Sequence, residues 1–182
     1  MGHFPQMKLV GAGLLLAGFA LSADAQPTMI GHAQLKDQNG TFVGSADLME
    51  TAGGLLIKLM LKGVEPGQHA VHLHAVGKCE PPFESAGPHF NPDTHKHGIL
   101  SGEGHAGDLP NLHVPDSGAL EVEMITTKAT LQKGKPNSLL DGDGSSLVIH
   151  ANADDYLSDP AGNSGSRIAC GVIISESTTG GR

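Results

Sequence analysis

Several of the eleven histidines in this 182-residue chain have spacings typical of metal ligands. His72 and His74 alternate with apolar residues in Val71-His72-Leu73-His74. On a β-strand both imidazoles lie on one face, because side chains repeat every two residues. Paired strand histidines can also face solvent, so this pair alone does not decide between a surface and a metal site.

A second group of candidate ligands follows. His89, His97 and His105 are spaced by eight residues, and Asp108 comes three residues later. Three imidazoles and a carboxylate are a tetrahedral zinc set. With His150, which ends a later apolar run, six histidines and one aspartate suffice for two metals if one imidazole is shared. Imidazole-rich sites suit copper and zinc, but spacing alone does not assign each ligand to a metal.

The segments that must position these residues have the pattern of β-strands. Asn39-Gly40 predicts a hairpin turn, and residues 55–61 alternate so that one face is wholly apolar. No twelve-residue stretch after residue 25 keeps a helical period without glycine or proline. We expect an all-β sandwich or flattened barrel with two long functional loops, at about 76–118 and 151–166. The predicted strands cover residues 29–35, 41–48, 55–61, 69–75, 119–126, 146–150 and 168–174.

The first 25 residues have the pattern of an export signal. Lys8 precedes an apolar run of about a dozen residues, and Ala23-Asp24-Ala25 is a small-x-small cleavage site. Cleavage near Ala25 leaves a single exported domain at 26–182, whose last residues, about 175–182, are expected to form a flexible tail. The chain would meet a membrane only if the leader stayed uncleaved.

Charge and cysteine content exclude several classes of protein. The net charge of −8 argues against nucleic acid or anionic lipid as the main partner. Two cysteines exclude a four-cysteine zinc site and a disulfide-dense miniprotein. In an oxidising compartment these two, Cys79 and Cys170, can be bridged.

Five motifs occur in order along the chain and share one resemblance. They are His72-Leu73-His74, Ser85-Ala86-Gly87-Pro88-His89-Phe90-Asn91-Pro92, His97-Gly98, Gly107-Asp108-Leu109-Pro110-Asn111 and Gly165-Ser166-Arg167-Ile168-Ala169-Cys170-Gly171-Val172-Ile173. Together they resemble copper/zinc superoxide dismutase in its exported, periplasmic bacterial form, over about residues 28–175. The resemblance implies an eight-stranded Greek-key β-barrel, which agrees with the independent strand count.

The resemblance also implies one copper and one zinc per chain. His89 would bridge the two metals as an imidazolate. The implied copper ligands are His72, His74, His89 and His150, and the implied zinc ligands are His89, His97, His105 and Asp108.

Two further implied features hold this centre in place. Asp154 matches a carboxylate that links the free nitrogens of His72 and His97, and such an acceptor fixes ring orientation and tautomer. Cys79 and Cys170 match an intrasubunit disulfide that ties the long loop to the last strand.

The activity implied by the resemblance is dismutation of superoxide to O₂ and H₂O₂ through alternating reduction and oxidation of copper. Arg167 would attract and position the anion, and His89 would supply one proton. Many family members carry steering lysines after the last copper histidine, but residues 151–166 contain none. We therefore expect a weaker or relocated field that depends on Arg167, with residues of the first long loop as further candidates.

The remaining histidines receive no metal role. His95 lies two residues before His97 and is an alternative zinc ligand, but the resemblance selects His97, and His95 is expected to face solvent. His32, His69 and His113 are interpreted as surface or hydrogen-bonded structural residues.

Two other classes of function have the same fold. A metal buffer would use the same ligands without needing Arg167, and a silent interaction domain would have broken ligand sets. All seven ligands are present, which favours the dismutase. Family members occur as monomers and homodimers, and the sequence does not choose between them.

Overall fold

The computed structural model describes residues 1–2, 30–100 and 102–176 of the chain. These ranges contain ten β-strands, a 3₁₀ turn at Glu84–Ala86 and no α-helix, which confirms the all-β prediction. The expected leader and its cleavage site fall outside the described ranges, apart from residues 1–2. The strands are β1 (Ile30–Asp37), β2 (Phe42–Thr51), β3 (Gly54–Lys62), β4 (Gly67–His69), β5 (Val71–His74), β6 (Leu112–Val114), β7 (Ala119–Thr126), β8 (Ser146–His150), β9 (Arg167–Val172) and β10 (Ile174–Glu176).

Eight of the strands form one antiparallel sheet. Its order is β5-β8-β9-β1-β2-β3-β7, and β10 pairs with β1. β4 and β6 form a separate two-stranded sheet. The neighbours β3 and β7, and likewise β5 and β8, are far apart in sequence, so the chain crosses over between them as in a Greek key. Strand number and connectivity agree with the predicted fold.

The apolar core follows the alternation visible in the sequence. On β3, Leu55, Ile57 and Leu59 are fully buried, whereas Lys58 and Met60 on the opposite face are exposed. Burial of each such aliphatic side chain stabilises the fold by about 1.5–3 kcal/mol relative to an exposed one. This one-sided core gives the rigid support on which the loops rest.

The structure differs from the strand predictions in three places. The predicted strand 69–75 is broken at Ala70, whose N–H donates to the carbonyl of Asn152 in the loop after β8 rather than to a strand. A short strand, β6, lies within the predicted long loop 76–118, where it pairs with β4. Residues 175 and 176, expected in the tail, belong to β10, because their backbone completes the pairing of β1 at Gly31 and Ile30.

Strand register places the candidate ligands. All of β5 is buried, with Val71 and Leu73 in the apolar core and the two histidines on the other face. β8 pairs with β9 so that His150 lies directly opposite Arg167. A copper-ligand candidate and the candidate anion-binding cation are thus cross-strand neighbours.

A disulfide joins Cys79 in the long loop to Cys170 on β9, 91 residues apart in sequence. Around it, Phe83, Ala86 and Val148 form a small apolar cluster separate from the main core. The loop is therefore held to the sheet by both a covalent bond and packing.

We expect the double substitution Cys79→Ser/Cys170→Ser to lower the free energy of unfolding by up to about 4–5 kcal/mol. The reason is the gain in entropy of an unfolded chain released from a closed loop of this length. Urea denaturation of the metal-free oxidised protein and the variant measures it, with chemically reduced wild type as a control. Equal unfolding free energies for all three would contradict the prediction.

Candidate metal centre

Four side chains converge on one point with the spacing of a tetrahedral metal site. The Oδ1 atom of Asp108 lies 3.1 Å from His89 Nδ1, 3.1 Å from His97 Nδ1 and 3.3 Å from His105 Nδ1. Zinc–nitrogen bonds of 2.0–2.1 Å in a tetrahedron require ligand separations of about 3.3 Å. A single carboxylate oxygen has about two lone pairs for three imidazoles. The set therefore fits zinc better than it fits hydrogen bonding.

The orientation of Asp108 is fixed by its other oxygen. Oδ2 accepts hydrogen bonds from the backbone N–H of Gly98 at 2.9 Å and of His105 at 2.8 Å. These bonds aim Oδ1 at the three imidazoles. Although burial acts in the other direction, the bonds from His89 and His97 and these backbone donors hold the pKa of Asp108 well below its usual range.

A second set of four imidazoles lies beside the first. Each histidine offers the set the ring nitrogen that does not bond to an acceptor elsewhere in the protein. These four ligand nitrogens all lie within 4.8 Å of one another. His72 Nδ1 and His89 Nε2 are buried without a hydrogen-bond partner among the described residues, and His74 Nε2 is 3.3 Å from His150 Nε2. Four convergent imidazole nitrogens fit copper.

The remaining nitrogens of the second set are held by acceptors. His74 Nδ1 donates to Gly87 O at 2.9 Å, and His150 Nδ1 lies 3.1 Å from Ser164 Oγ and 3.3 Å from Gly165 O. Bonds of this kind fix the tautomer and ring orientation of metal-ligating histidines.

The carboxylate of Asp154 joins the two sets. Its Oδ2 lies 2.8 Å from His72 Nε2 and its Oδ1 lies 3.0 Å from His97 Nε2. The side chain of Asn111 holds the backbone of Asp154 on both sides, donating to its carbonyl and accepting from its N–H, each at 2.8 Å. A Cβ on Gly162 would lie 1.9 Å from Asp154 Oδ1, so only glycine fits beside this carboxylate.

Backbone contacts dock the long loop against β5. The N–H of Leu73 donates to Gly107 O at 2.9 Å, and its carbonyl accepts from Phe90 at 2.8 Å. A Cβ on Gly107 would lie 2.3 Å from the Leu73 carbonyl oxygen, so this close approach requires glycine. The docking brings the loop histidines to the strand histidines.

A cavity of about 590 Å³ leads to the second set. His89, His150, Arg167 and Ser164 are among its lining residues. The Arg167 guanidinium, with 15% of its side chain exposed, donates to Phe83 O at 2.6 Å and to Gly87 O at 2.8 Å. Arg167 also lines the cavity, where the guanidinium can meet a small anion.

The rim of this cavity is acidic. Glu84 and Asp159 line it, and Glu84 Oε2 lies 3.9 Å from the Arg167 guanidinium. Among the described residues, no lysine lines the cavity. This arrangement agrees with the sequence-based expectation that the field depends on Arg167, and the described residues of the first long loop add no lysine to the cavity.

Burial favours the neutral form of three imidazoles in the second set, those of His72, His74 and His150. Desolvation lowers the pKa of His72 to about 4, of His150 to about 3 and of His74 to about 2. Neutral imidazole is the form that binds a metal. For His97, burial is outweighed by hydrogen bonds to Asp108 and Asp154, which raise the pKa to about 9.

The structure brings every candidate ligand from the sequence into one of these sets. His95 lies outside them and pairs with Glu103 at 3.1 Å. His32 pairs with Asp47, and His113 is exposed. His69 is buried, with both ring nitrogens within 2.9 Å of backbone carbonyl oxygens.

Sequence reasoning gave no role to several residues that support the site. Asn111 stands in a recognised motif, yet only the fold shows that it holds Asp154. Ser164 and Glu84 carry no spacing signal, because they lie on two different loops that approach His150 and Arg167 only in the folded chain.

Comparison with known proteins gives a consistent result. The family model for copper/zinc superoxide dismutase matches residues 42–173. The chain is 49% identical over 171 residues to superoxide dismutase [Cu-Zn] 2 of Aquifex aeolicus, covering 91% of this chain and 98% of that protein.

Solved structures have the same fold. A SOD-like protein from Bacillus subtilis matches with a TM-score of 0.75 and 41% identity, over 79% of this chain and 97% of that one. Cu/Zn superoxide dismutase from Brucella abortus matches with a TM-score of 0.66 and 29% identity, over 80% and 99%.

We expect the metal-free protein to lose stability as the pH falls from about 6.5 toward 4. In this window the ordinary imidazole pKa of 6.5 applies to the unfolded chain, whereas folded His72, His74 and His150 have pKa values of about 4, 2 and 3. The unfolded chain then binds more protons, and each such group contributes about 1.4 kcal/mol per pH unit. Above pH 7 the sign reverses, because folded His97 holds its proton up to about pH 9.

Urea denaturation of metal-free protein at pH 5, 6 and 7 measures this slope. His150→Gln should reduce the slope of unfolding free energy against pH by the contribution of about one proton. The matched substitution His113→Gln at an exposed site should leave the slope unchanged. An unfolding free energy that does not change between pH 5 and 7 would contradict the prediction.

Proposed function

The chain belongs to the copper/zinc superoxide dismutase family, and from that premise we propose which of its residues carry the reaction. The enzyme dismutates superoxide to O₂ and H₂O₂ with copper and zinc. The single observation that carries the assignment is the pair of buried, convergent ligand sets that share His89. The proposed copper ligands are His72, His74, His89 and His150, and the proposed zinc ligands are His89, His97, His105 and Asp108.

His72, His74, His89 and His150 would hold copper, which would supply the reversible one-electron chemistry that dismutation of two superoxide anions requires. The protein must then bring an anion to the cavity, keep the imidazoles neutral and deliver protons. Two superoxides and two protons give one O₂ and one H₂O₂, so each turnover requires two protons.

His89 is the proposed proton carrier. Its Nε2 faces the copper set and has no hydrogen-bond partner among the described residues, while its Nδ1 faces Asp108 in the zinc set. Because His89 also lines the cavity that the substrate enters, a proton held on Nε2 would lie close to a bound substrate. Zinc has no redox chemistry, and its proposed role is to order the loop and set the basicity of His89.

Arg167 is the proposed anion-binding residue. Its guanidinium is always charged and offers several donors, and two carbonyl acceptors hold it in the cavity beside His150. Phe83 and Gly87 supply these carbonyls, and the Gly87 carbonyl also accepts the His74 Nδ1 proton. Anion binding and copper ligation thus share one backbone anchor.

We propose that the chain acts after export, as a domain at 26–182 released from a leader cleaved near Ala25. The basic, apolar and small-x-small pattern of the first 25 residues supports this, and so does a disulfide, which persists in oxidising compartments. Superoxide is the partner. Measurement of the mass in solution decides whether the chain forms a homodimer.

Metal analysis combined with superoxide-consumption kinetics on the purified exported protein tests the proposal. One copper and one zinc per chain with dismutation is the expected result. The same metal content without turnover would favour a metal buffer, and absence of both metals would favour a silent interaction domain.

We expect Arg167→Ala to lower kcat/KM for superoxide by about ten- to a hundredfold with copper and zinc contents unchanged. A hydrogen-bonded contact to a charge contributes about 1.5–3 kcal/mol, and the side chain touches no metal-ligand nitrogen. Arg167→Lys, which keeps the charge but not the planar fork, should fall between. Loss of copper from Arg167→Ala would contradict the electrostatic interpretation.

We expect Glu84→Gln to raise kcat/KM by about two- to fivefold at low ionic strength. Charges about 4 Å apart in water interact by about 1 kcal/mol, and removal of the acid strengthens the field of Arg167. The gain should disappear at high salt. Glu121→Gln makes the same change in net charge on the exposed face of β7 and serves as the control; an equal gain there would rule out a local effect.

A further inference from the structure

We propose that the Ser164 hydroxyl is a second anion-binding donor of the copper cavity, one that His150 orients. The proposal rests on the assignment of His150 as a copper ligand. Ser164 belongs to the loop between β8 and β9, is 2% exposed and lines the same cavity as Arg167.

The tautomer of His150 sets the direction of the hydroxyl proton. Nε2 of His150 faces the copper set, so the ring proton of the neutral imidazole lies on Nδ1. Nδ1 shares that proton between Ser164 Oγ at 3.1 Å and the carbonyl oxygen of Gly165 at 3.3 Å, and since a carbonyl can only accept, Nδ1 is the donor to both. Since the hydroxyl is an acceptor on the side of the ring, its own O–H points away from His150 and remains available as a donor.

The backbone around Ser164 is held firmly, so the hydroxyl is not on a free loop. Its N–H donates to Ala161 O at 3.2 Å, and its carbonyl accepts from the N–H of Asn152 at 2.9 Å. A donor with a fixed position costs little ordering when it meets a ligand.

The charges around the cavity explain why a neutral donor would help to bind an anion there. Arg167 is its cation, two of the guanidinium donors are engaged by carbonyls, and Glu84 and Asp159 at the rim oppose an incoming anion. A neutral hydroxyl adds a hydrogen bond without desolvating another charge. Ser164 and Arg167 would therefore hold a small anion from two sides.

Azide titration of the copper- and zinc-loaded protein tests this directly, because azide is a small anion whose binding to Cu(II) changes the visible spectrum. We expect Ser164→Ala to weaken azide binding by about three- to tenfold, the value of one neutral hydrogen bond. The loss should be the same at low and high salt, since the donor carries no charge. Ser166→Ala, an exposed serine lining the same cavity, is the matched control and should bind azide like wild type.

Wild-type azide affinity in Ser164→Ala, or an equal loss in Ser166→Ala, would overturn the proposal. Copper and zinc contents are measured on each variant, and if Ser164→Ala lost copper, Ser164→Thr and Ser164→Cys would decide: the hydroxyl must bind azide more tightly than the weakly donating thiol. Dismutation by the wild type is measured separately, so failure of this donor role is distinguishable from failure of the proposed function.

Discussion

The crowding of three imidazole nitrogens around one carboxylate oxygen is the constraint on which the structure depends. Asp108 Oδ1 cannot satisfy all three within 3.3 Å by hydrogen bonds alone. Buried acceptor atoms packed so closely are stable only when a positive charge, from a bound cation or a protonated imidazole, lies among them. The fold therefore holds its loop in a shape that a divalent cation stabilises, and the sheet supplies the rigid side against which the loop is held.

The two ligand sets are coupled through groups that belong to both. His89 contributes one nitrogen to each, and Asp154 holds a histidine of each through its two oxygens. A change in either set thus reaches the other through two rigid connections. Asp154 has little room to move. Gly162 packs closely against its carboxylate, and the Asn111 side chain bonds to its backbone.

The sequence predicted the fold, and it identified the side chains that converge in the two candidate sets, because both depend on short patterns. The alternation in residues 55–61 determined a strand and its buried face, and the spacing of His72 and His74 placed them on one side of another. Long-range packing left no such pattern. The role of Ser164 depends on a loop folding over His150, and the pairing of residues 175 and 176 with β1 depends on an edge that exists only once the sheet has formed.

The ligands of the two metal sets are spread over very different lengths of chain. The proposed zinc ligands all lie between residues 89 and 108, whereas the proposed copper set needs His150, joined to His72 by the pairing of β5 with β8. Closing a short loop costs less entropy than closing a long one. A polypeptide exported amino end first presents the complete zinc set before His150 emerges, so the order of export favours zinc capture before copper capture.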